Sequence, residues 1–438
     1  MSKKIVFVVG SKIQWKNFIC ISPYLINKKY KIHFVLLDNY ECKSFKIPKF
    51  NDGIIFSILE TNPTNKFLYF LFNRKFFKRF LPLFSLNKAW HKFLNKINPN
   101  LVVFGVDHSI IHYYMINVCN LKSIKTAVLQ DAYIVGRILL EKNFKAESYR
   151  SKKTTELTEL KTLARAQNGK YWMNKLVLLS RRFNLNFLFP PKPFNSGTDF
   201  IGLIGEEAKR CIATKSTVSS KISIVGSPRY EDFVRKANEY TTKSKSNIEN
   251  RNIKKDNIIF IQTNYDYVSG KLEHQQQQSI IWLCKSIQNL KVESKMKVNV
   301  FLHTATKNIK EYVNIQNKFK NIIILSEGGF EPSIIEKSLC CFTMGSTGLL
   351  DFYLAKIKCA IIVSPKTKKP LLGMGILEFG FPLIQSDDKL IKFITDESYM
   401  TKVTIENEIL FDKIANFKSN WNSIEKTTNW ITSIVESK

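Results

Sequence analysis

The sequence lacks the signatures of several protein classes. Its eight cysteines form no C-x-x-C pair, and it has neither a zinc-finger spacing nor the aromatic signature of an RNA-binding domain. No uncharged apolar run reaches the roughly 18 residues of a transmembrane helix, and the P-loop motif G-x-x-x-x-G-K-S/T is missing. Most cysteines lie inside apolar runs, as small buried hydrophobic residues do. We therefore expect a reduced, cytoplasmic protein that does not cross a membrane.

Acidic residues are also scarce. The chain has 67 Lys and Arg against 36 Asp and Glu, which gives a formal net charge of +31. Such a charge attracts nucleic acid, acidic membrane lipid or a phosphorylated substrate. The abundance of Lys, Asn and Ile also indicates an AT-rich genome, which explains part of the charge without any ligand. Because no nucleic-acid-binding motif accompanies the charge, we do not expect a nucleic-acid partner.

The residues that are present predict an α/β protein with two Rossmann-like parallel-sheet domains. A chain of 438 residues with 44% hydrophobic content can bury two cores. Continuous apolar strands alternate with helical segments, as in a parallel sheet covered on both faces. We predict an N-terminal domain over 1–240 with an insertion at about 141–193, and a linker over 241–257. The C-terminal domain covers 258–438, and its last helix is a candidate to cross back.

Distinctive polar residues are predicted at the ends of these strands. In open parallel sheets, ligands bind at the carboxyl ends of the strands. The residues placed there are Asp107, His108, Gln130, Asp131, Gly226 to Tyr230, Thr263, His303, Glu327 and Gly345. We expect the functional site among them.

One turn has the composition of an anion site. MGSTGLLDF, at 344–352, follows an apolar strand and begins a predicted helix. Small residues and free backbone N–H groups at a helix start can hold a phosphate. The same residues also suit a plain capped helix, with Asp351 on its exposed edge. Both interpretations remain open for the isolated motif.

Four segments together resemble a known family. They are AVLQDAY at 127–133, IVGSPRYEDF at 224–233, FLHTATKN at 301–308 and GSTGLLDFYLAKIKCAIIV at 345–363. Their order is similar to that in GT-B glycosyltransferases, especially bacterial transferases of capsule and lipopolysaccharide synthesis, and in the related UDP-N-acetylglucosamine 2-epimerases. His303 and Asp351 match family positions. Thr304 replaces the proline of a His-Pro pair, and Cys359 replaces the proline of a Lys-Pro pair.

The resemblance implies two domains facing a cleft, with a nucleotide-sugar donor bound by the second domain and a glycan or lipid-linked acceptor by the first. No metal or other cofactor is expected, because the D-x-D motif is absent. The implied donor-binding residues are Gly226, Arg229, Thr263, Asn264, His303, Glu327, Gly345, Ser346, Thr347 and Asp351. Asp107, His108 and Asp131 are the candidate catalytic residues, since an inverting transfer needs a base.

Several alternatives stay open. Asp107 suits the N-cap of the following helix as well as it suits catalysis. His108 and His112 are spaced as a metal pair, although no third ligand is evident. His303 is as compatible with a core position as with a ligand contact. For the whole chain, a 2-epimerase of the same fold and a non-catalytic basic binding protein are the alternatives to a transferase.

An aromatic and basic segment is a candidate membrane contact. KFLYFLFNRKFFKRFLPLF, at 66–84, places phenylalanines beside lysines and arginines. This composition suits the surface of an anionic membrane, so peripheral binding at the inner face of the plasma membrane is expected. A buried helix with a basic outer edge explains it equally well.

Overall fold

The computed structural model describes residues 2–37, 54–59, 81–107, 109–131, 196–206, 208–209, 221–246, 255–263, 270–290, 296–303, 306, 309–325, 333–367, 381–396 and 422–437. Contacts within the chain group these residues into two units. The division falls inside one helix, after Asp232.

The first unit is built on a seven-stranded parallel sheet with the order β3-β2-β1-β4-β5-β6-β7. Its strands are β1 (Lys4–Val9), β2 (Lys31–Leu37), β3 (Ile54–Leu59), β4 (Leu101–Phe104), β5 (Lys125–Leu129), β6 (Phe200–Leu203) and β7 (Lys221–Ile224). Its helices are α1 (Lys12–Asn27), α2 (Leu81–Ile97), α3 (Ile110–Leu121), the first turn of α4 (Pro228–Ser246) and the C-terminal helix, α10 (Ser423–Glu436).

The second unit is built on a six-stranded parallel sheet with the order β10-β9-β8-β11-β12-β13. Its strands are β8 (Asn257–Ile261), β9 (Lys297–Phe301), β10 (Ile322–Leu325), β11 (Ser338–Thr343), β12 (Lys358–Ile362) and β13 (Leu383–Ile384). Its helices are the rest of α4, then α5 (Gly270–Gln288), α6 (Ile309–Lys318), α7 (Ile334–Lys337), α8 (Leu349–Leu354) and α9 (Asp387–Thr395).

The central strands of both sheets are buried along almost their whole length. In β1, every residue from Ile5 to Val9 is 0% exposed, and β12 is buried throughout. Helices on both faces explain why these strands are continuously apolar rather than alternating. The prediction of two parallel-sheet α/β domains is therefore confirmed. Strand β3, IIFSIL, was missed although all of its residues except Ser57 are apolar; it is an edge strand with only partial burial.

The C-terminal helix completes the core of the first unit. Ile424, Trp430, Ile431 and Ile434 on α10 join the cluster that contains Phe7. A Cβ atom at Gly202 of β6 would lie 2.9 Å from the ring of Trp430, so this strand approaches the indole closely. Tyr30 donates to Glu436 Oε1 at 2.7 Å, and Lys3 forms an ion pair with the same carboxylate.

A buried histidine lies near the edge of the first sheet. His33 on β2 is 4% exposed, its Nε2 lies 2.9 Å from Ser57 Oγ on β3, and its ring meets the edge of Phe93 at 4.9 Å. Burial, reinforced by the charge of Lys96, lowers the pKa of His33 to about 4. The ring is therefore neutral at physiological pH.

Two sequence predictions meet limits of the described chain. Helix α4 continues to Ser246, inside the segment 241–257 that the composition predicts as a linker. The predicted insertion at 141–193 lies outside the described residues, as does most of the aromatic and basic segment 66–84. Within the described ranges, no helix combines the length and the apolar character needed to cross a membrane.

Candidate functional site

Each sheet has one point at which the strand order reverses. It lies between β1 and β4 in the first sheet and between β8 and β11 in the second. Connections leave such neighbouring strands in opposite directions, which opens a crevice beyond their carboxyl ends. Among the predicted residues, Asp107 follows β4 and Asp131 follows the neighbouring strand β5. In the second sheet, Thr263 follows β8 and Gly345 follows β11.

In the first unit, a glutamine bridges the end of β1 to Asp131. Ser11 is the N-cap of α1, and its hydroxyl accepts a hydrogen bond from the Gln14 backbone N–H. The side-chain oxygen of Gln14 accepts from Gly10 N at 2.7 Å, and its amide nitrogen donates to Asp131 Oδ2 at 3.3 Å. Gln14 is buried, whereas Asp131 is half-buried. Asp131 is thus a partly accessible carboxylate held from one side by a buried amide.

Glycine at the end of β4 makes room for this glutamine. A Cβ atom at Gly105 would lie 2.2 Å from Cγ of Gln14, far inside van der Waals contact. At Gly10, a Cβ atom would lie 3.1 Å from Cε1 of His112. His112 is buried, and its Nδ1 is hydrogen-bonded to the hydroxyl of Ser109. Gly10 and Gly105 therefore let two side chains approach the strand ends.

Asp107 has a different environment from Asp131. It is 1% exposed, and its Oδ2 accepts a hydrogen bond from Ser196 N at 3.3 Å. The alternative that Asp107 caps α3 is wrong, because Ser109 is the N-cap and its hydroxyl accepts from His112 N. Asp107 therefore ties the end of β4 to the segment before β6. A catalytic role for Asp107 stays a prediction.

The GSPRYE segment anchors the C-terminal helix. Gly226 has φ 77°, and a Cβ atom there would lie 2.0 Å from Ser423 Oγ. Glu231 Oε2 accepts from Ile424 N at 2.8 Å, which satisfies one free N–H at the start of α10. Arg229 N donates to Asn17 Oδ1, and its guanidinium lies 3.9 Å from the ring centre of Tyr230. These contacts are structural, and donor binding by Gly226 and Arg229 stays a prediction.

In the second unit, glutamines line the carboxyl ends of β8 and β9. Gln276 on α5 accepts from Thr263 N at 2.8 Å and donates to Thr263 O at 3.3 Å, so it holds both backbone polar groups of that residue. Gln262 Oε1 accepts from His303 N at 2.8 Å and from Thr306 Oγ1 at 2.6 Å. The chain after each strand is therefore fixed by a buried amide.

Tyr312 connects these two glutamines. Its hydroxyl accepts from Gln262 Nε2 at 3.0 Å and from Gln276 Nε2 at 3.1 Å, and it donates to Glu273 Oε1. Burial and the nearby charge of Glu273 raise the pKa of Tyr312, so the phenol stays protonated and can donate. All four side chains are at most 6% exposed, and their mutual bonds compensate the cost of burying them.

The glycine turn after β11 is organised by Thr343. Its hydroxyl donates to Ile261 O at 2.9 Å and accepts from Gly345 N at 3.1 Å and Ser346 N at 2.8 Å. Gly348 is the N-cap of α8, which has only six residues, and no side chain caps it. Two backbone amides of the turn are therefore already bonded within the protein. Ser346 and Thr347 remain half-exposed.

The burial of Asp351 and the exposure of His303 each contradict the non-functional alternative for that residue. Asp351 is 3% exposed, so the alternative that places it on an exposed helix edge is wrong. Burial raises the pKa of the Cys341 thiol, and Asp351 adds to that shift. His303 is exposed, so its alternative as a core histidine is wrong too. Donor contacts by both residues stay predictions.

Three predicted residues, His108, Asn264 and Glu327, lie outside the described residues. The spacing of His108 and His112 as a metal pair therefore involves a residue outside the described part of the chain. Across the described ranges, no group of three or more His, Cys, Asp and Glu side chains is arranged to hold a metal ion.

Neither a family model nor a curated protein matches the sequence. Among solved structures, UDP-GlcNAc 2-epimerase from Methanocaldococcus jannaschii is similar, with 14% identity and a TM-score of 0.51 over 99% of each chain. Os79 from O. sativa, solved with trichothecene, has 10% identity and a TM-score of 0.56 over 98% of this chain and 100% of its own. A ugt transferase from Siraitia grosvenorii in complex with UDP has 12% identity and a TM-score of 0.53 over 99% and 100%. The chain has the GT-B fold. At these identities the similarity establishes the fold alone.

Within this GT-B fold, sequence reasoning missed the buried glutamines Gln14, Gln262 and Gln276. Ser11 and Gln14 match the S-x-x-Q pattern of a capping box, a signal that marks Gln14 as a side chain folded back on the chain. Gln262 stands directly after an apolar strand, as Gln130 does. Gln276 belongs to the run at 275–278, in which four identical letters conceal the one that is 0% exposed. Glu273 and Tyr312 carry no local signal, because only the tertiary fold brings them together.

Proposed function

We propose that the protein is a glycosyltransferase that moves a sugar from a nucleotide-sugar donor to a surface-polysaccharide or lipid-linked acceptor without a metal ion. The GT-B fold supports an enzyme that handles nucleotide sugars, since the similar structures include a UDP-GlcNAc 2-epimerase and a ugt transferase in complex with UDP. The reaction itself is inferred from side chains at the sheet edges.

The observation that carries the proposal is the environment of Asp131. A catalytic base must reach the acceptor hydroxyl directly or through one water. Asp107, Glu273 and Asp351 are 1%, 6% and 3% exposed, whereas Asp131 is half-buried beside the point where the first sheet reverses. Asp131 is therefore better placed than these three carboxylates to take the proton of an acceptor.

The second sheet supplies groups suited to the leaving nucleotide. Glycosyl transfer leaves a phosphate on which negative charge develops, and preorganised donors stabilise it. Partly exposed residues with hydroxyls follow β8 (Thr263) and β11 (Ser346 and Thr347). The exposed His303 follows β9. The glutamines behind Thr263 and His303 hold the backbone of both residues. This preorganisation supports donor binding at that edge.

A 2-epimerase is the second candidate, because the M. jannaschii enzyme shares the fold. Such an enzyme needs carboxylates close to the sugar in the second unit. Two described carboxylates of that unit, Glu273 and Asp351, are buried, and Glu273 is bonded to Tyr312 and Gln262. Their burial favours the transferase.

A panel of UDP-, CDP- and CMP-linked sugars tests the proposal. The purified protein is incubated with each donor, with and without a lipid-linked or oligosaccharide acceptor, and with and without EDTA. We expect nucleotide release that requires the acceptor and is insensitive to EDTA. An epimerised sugar formed without acceptor would establish the epimerase instead. Binding with no turnover for any donor would favour a non-catalytic binding protein.

A further inference from the structure

Gln14 occupies an unusual place for a capping-box residue. At the third helical position, such a glutamine ordinarily bonds back to the backbone N–H of the N-cap, which here is Ser11. Instead, Gln14 Oε1 accepts from Gly10 N, one residue earlier, at 2.7 Å. This bond fixes which end of the amide is oxygen, because Gly10 N–H can only donate. The NH₂ group is left to face Asp131 Oδ2, 3.3 Å away.

The surroundings allow Gln14 no other position. It is 3% exposed, and its Cγ passes over Gly105, where any Cβ atom would lie 2.2 Å away. A buried amide with both ends bonded has little rotational freedom, and a buried donor without a partner would be unfavourable. Gly105 and Gln14 therefore act together, because the glycine provides the space and the amide provides the hydrogen bond to Asp131.

We propose that Gln14 is a positioning residue that favours the ionised form of the Asp131 carboxylate and fixes its orientation through the hydrogen bond to Oδ2. An amide N–H stabilises the charged form of a carboxylate more than the neutral form, whose carbonyl oxygen is a weaker acceptor. The functional part of this inference rests on the proposed role of Asp131 as the base.

Two substitutions remove the bond in different ways. Gln14→Met keeps the length of the side chain and removes both of its polar ends. Gly105→Ala leaves Gln14 intact and displaces it sterically, so it serves as the second route if one variant folds poorly. Ile13→Ala is the matched control, because Ile13 lies next to Gln14 on α1 and is 42% exposed.

The first readout is the pKa of the Asp131 carboxyl, measured by NMR on full-length protein with ¹³C-labelled aspartate and assigned with Asp131→Asn. We expect the pKa to rise by about half to one unit in Gln14→Met and Gly105→Ala, and to stay unchanged in Ile13→Ala. An unchanged pKa in both Gln14→Met and Gly105→Ala would overturn the inference.

The second readout is the pH profile of kcat/KM for the donor and acceptor that the panel identifies. Its acid limb should move upward by the same amount as the pKa, and kcat should fall by about tenfold through loss of orientation. If the NMR pKa moves while the profile does not, Gln14 still positions Asp131, but Asp131 is not the base. That outcome would overturn the proposed function and its catalytic part here, while the structural link would stand.

Discussion

His33 shows how one buried side chain makes stability depend on pH. Its pKa is about 4 in the folded protein, against 6.5 for an ordinary histidine. Between these values the unfolded chain binds more protons than the folded one, so the free energy of unfolding falls as the pH decreases. The stabilisation is fully present above pH 6.5 and is lost progressively toward pH 4. At pH 5, the loss is about 2 kcal/mol.

The substitution His33→Gln removes this titration. Wild type should lose about 2 kcal/mol more than His33→Gln between pH 7 and pH 5, because only wild type must exclude a proton on folding. Urea unfolding at both pH values measures the difference, and any general effect of the substitution cancels. Equal losses in the two proteins would show that His33 is protonated at no cost in the fold.

Asp131 and Asp107 form a matched pair of carboxylates at neighbouring strand ends. Asp131→Asn should lower turnover by about 10²-fold or more, because an amide cannot accept the acceptor proton. Asp107→Asn should mainly lower the melting temperature, since the buried Asp107 bonds Ser196 N. Activity per folded molecule and thermal unfolding separate the two effects. A loss of turnover in Asp107→Asn alone would transfer the role of base to Asp107.

At the scale of the element, a buried lysine ends helix α9. Lys358 on β12 is 7% exposed, and its Nζ donates to Phe393 O at 2.9 Å, Ile394 O at 3.0 Å and Asp396 O at 3.1 Å. A cation suits the negative end of a helix, and three carbonyl bonds compensate for burying it. Lys358 is the lysine of the Lys358-Cys359 pair, where the GT-B glycosyltransferases that the sequence resembles have Lys-Pro.

Removing that ammonium should weaken the second unit. Lys358→Met leaves the carbonyls at the end of α9 without this donor, and we expect a loss of about 2 to 3 kcal/mol in the free energy of unfolding. Lys389→Met on the same helix is the control, because Lys389 is exposed and its replacement should change stability by less than about 0.5 kcal/mol. Equal effects of the two would mean that the capping bonds contribute nothing.

The contact between Gly226 and α10 can be tested with a double mutant. Gly226→Ala should lower the free energy of unfolding by about 3 kcal/mol, because it adds a steric clash with Ser423 to an unfavourable positive φ. Ser423→Gly removes the atoms that clash, so the second change should recover the steric part and leave about 1 kcal/mol for the backbone. Chemical denaturation of all four proteins measures the coupling. If the effects of the two substitutions on the free energy of unfolding are strictly additive, a clash with Ser423 does not cause the loss of stability in Gly226→Ala.

The same elements show what the sequence reveals and what it hides. The strands are visible because burial on both faces makes them continuously apolar, and the edge strand β3 is almost as apolar although it is only partly buried. Gly226 looks like a ligand contact in its own motif, yet its nearest obstacle, Ser423, is 197 positions away. Likewise, the glycines at 345 and 348 suggest a free phosphate cradle, but the Thr343 hydroxyl already binds the amides of Gly345 and Ser346. Spacing along the chain does not report such partners.

At the scale of the molecule, the two sheets share one plan. From β3 to β6, and again from β10 to β13, the spatial order of the strands is third, second, first, fourth, fifth and sixth, and the first sheet adds a seventh strand, β7. This is the strand order of the Rossmann fold, which places a crevice beside the first strand of each half. Alternating strands and helices predict a parallel sheet with right-handed crossovers, but not this order, because doubly wound sheets with another strand order show the same alternation. The buried glutamines could not be anticipated either.

The net charge of +31 predicts binding to anionic membranes. We expect co-sedimentation with vesicles rich in phosphatidylglycerol to exceed that with neutral vesicles, and to weaken by about tenfold as salt rises from roughly 50 to 300 mM, because screening shortens the range of the attraction. Vesicles of phosphatidylcholine are the control. Equal, salt-independent binding to both would show that the charge has no such role.

The C-terminal helix α10 also imposes an order on synthesis. The first unit contributes its strands early, but the core around Phe7 includes Trp430 and Ile431, which follow every described strand of both sheets in the sequence. The second unit, encoded in between, has all its described elements before residue 411. On the ribosome, the N-terminal sheet therefore keeps apolar surface exposed until α10 has been synthesised and its core can close. A premature stop shortly before α10 would leave a chain that has every described strand but lacks the helix that completes the core of the first unit. We expect chaperones and proteases to recognise the exposed apolar surface of such a chain.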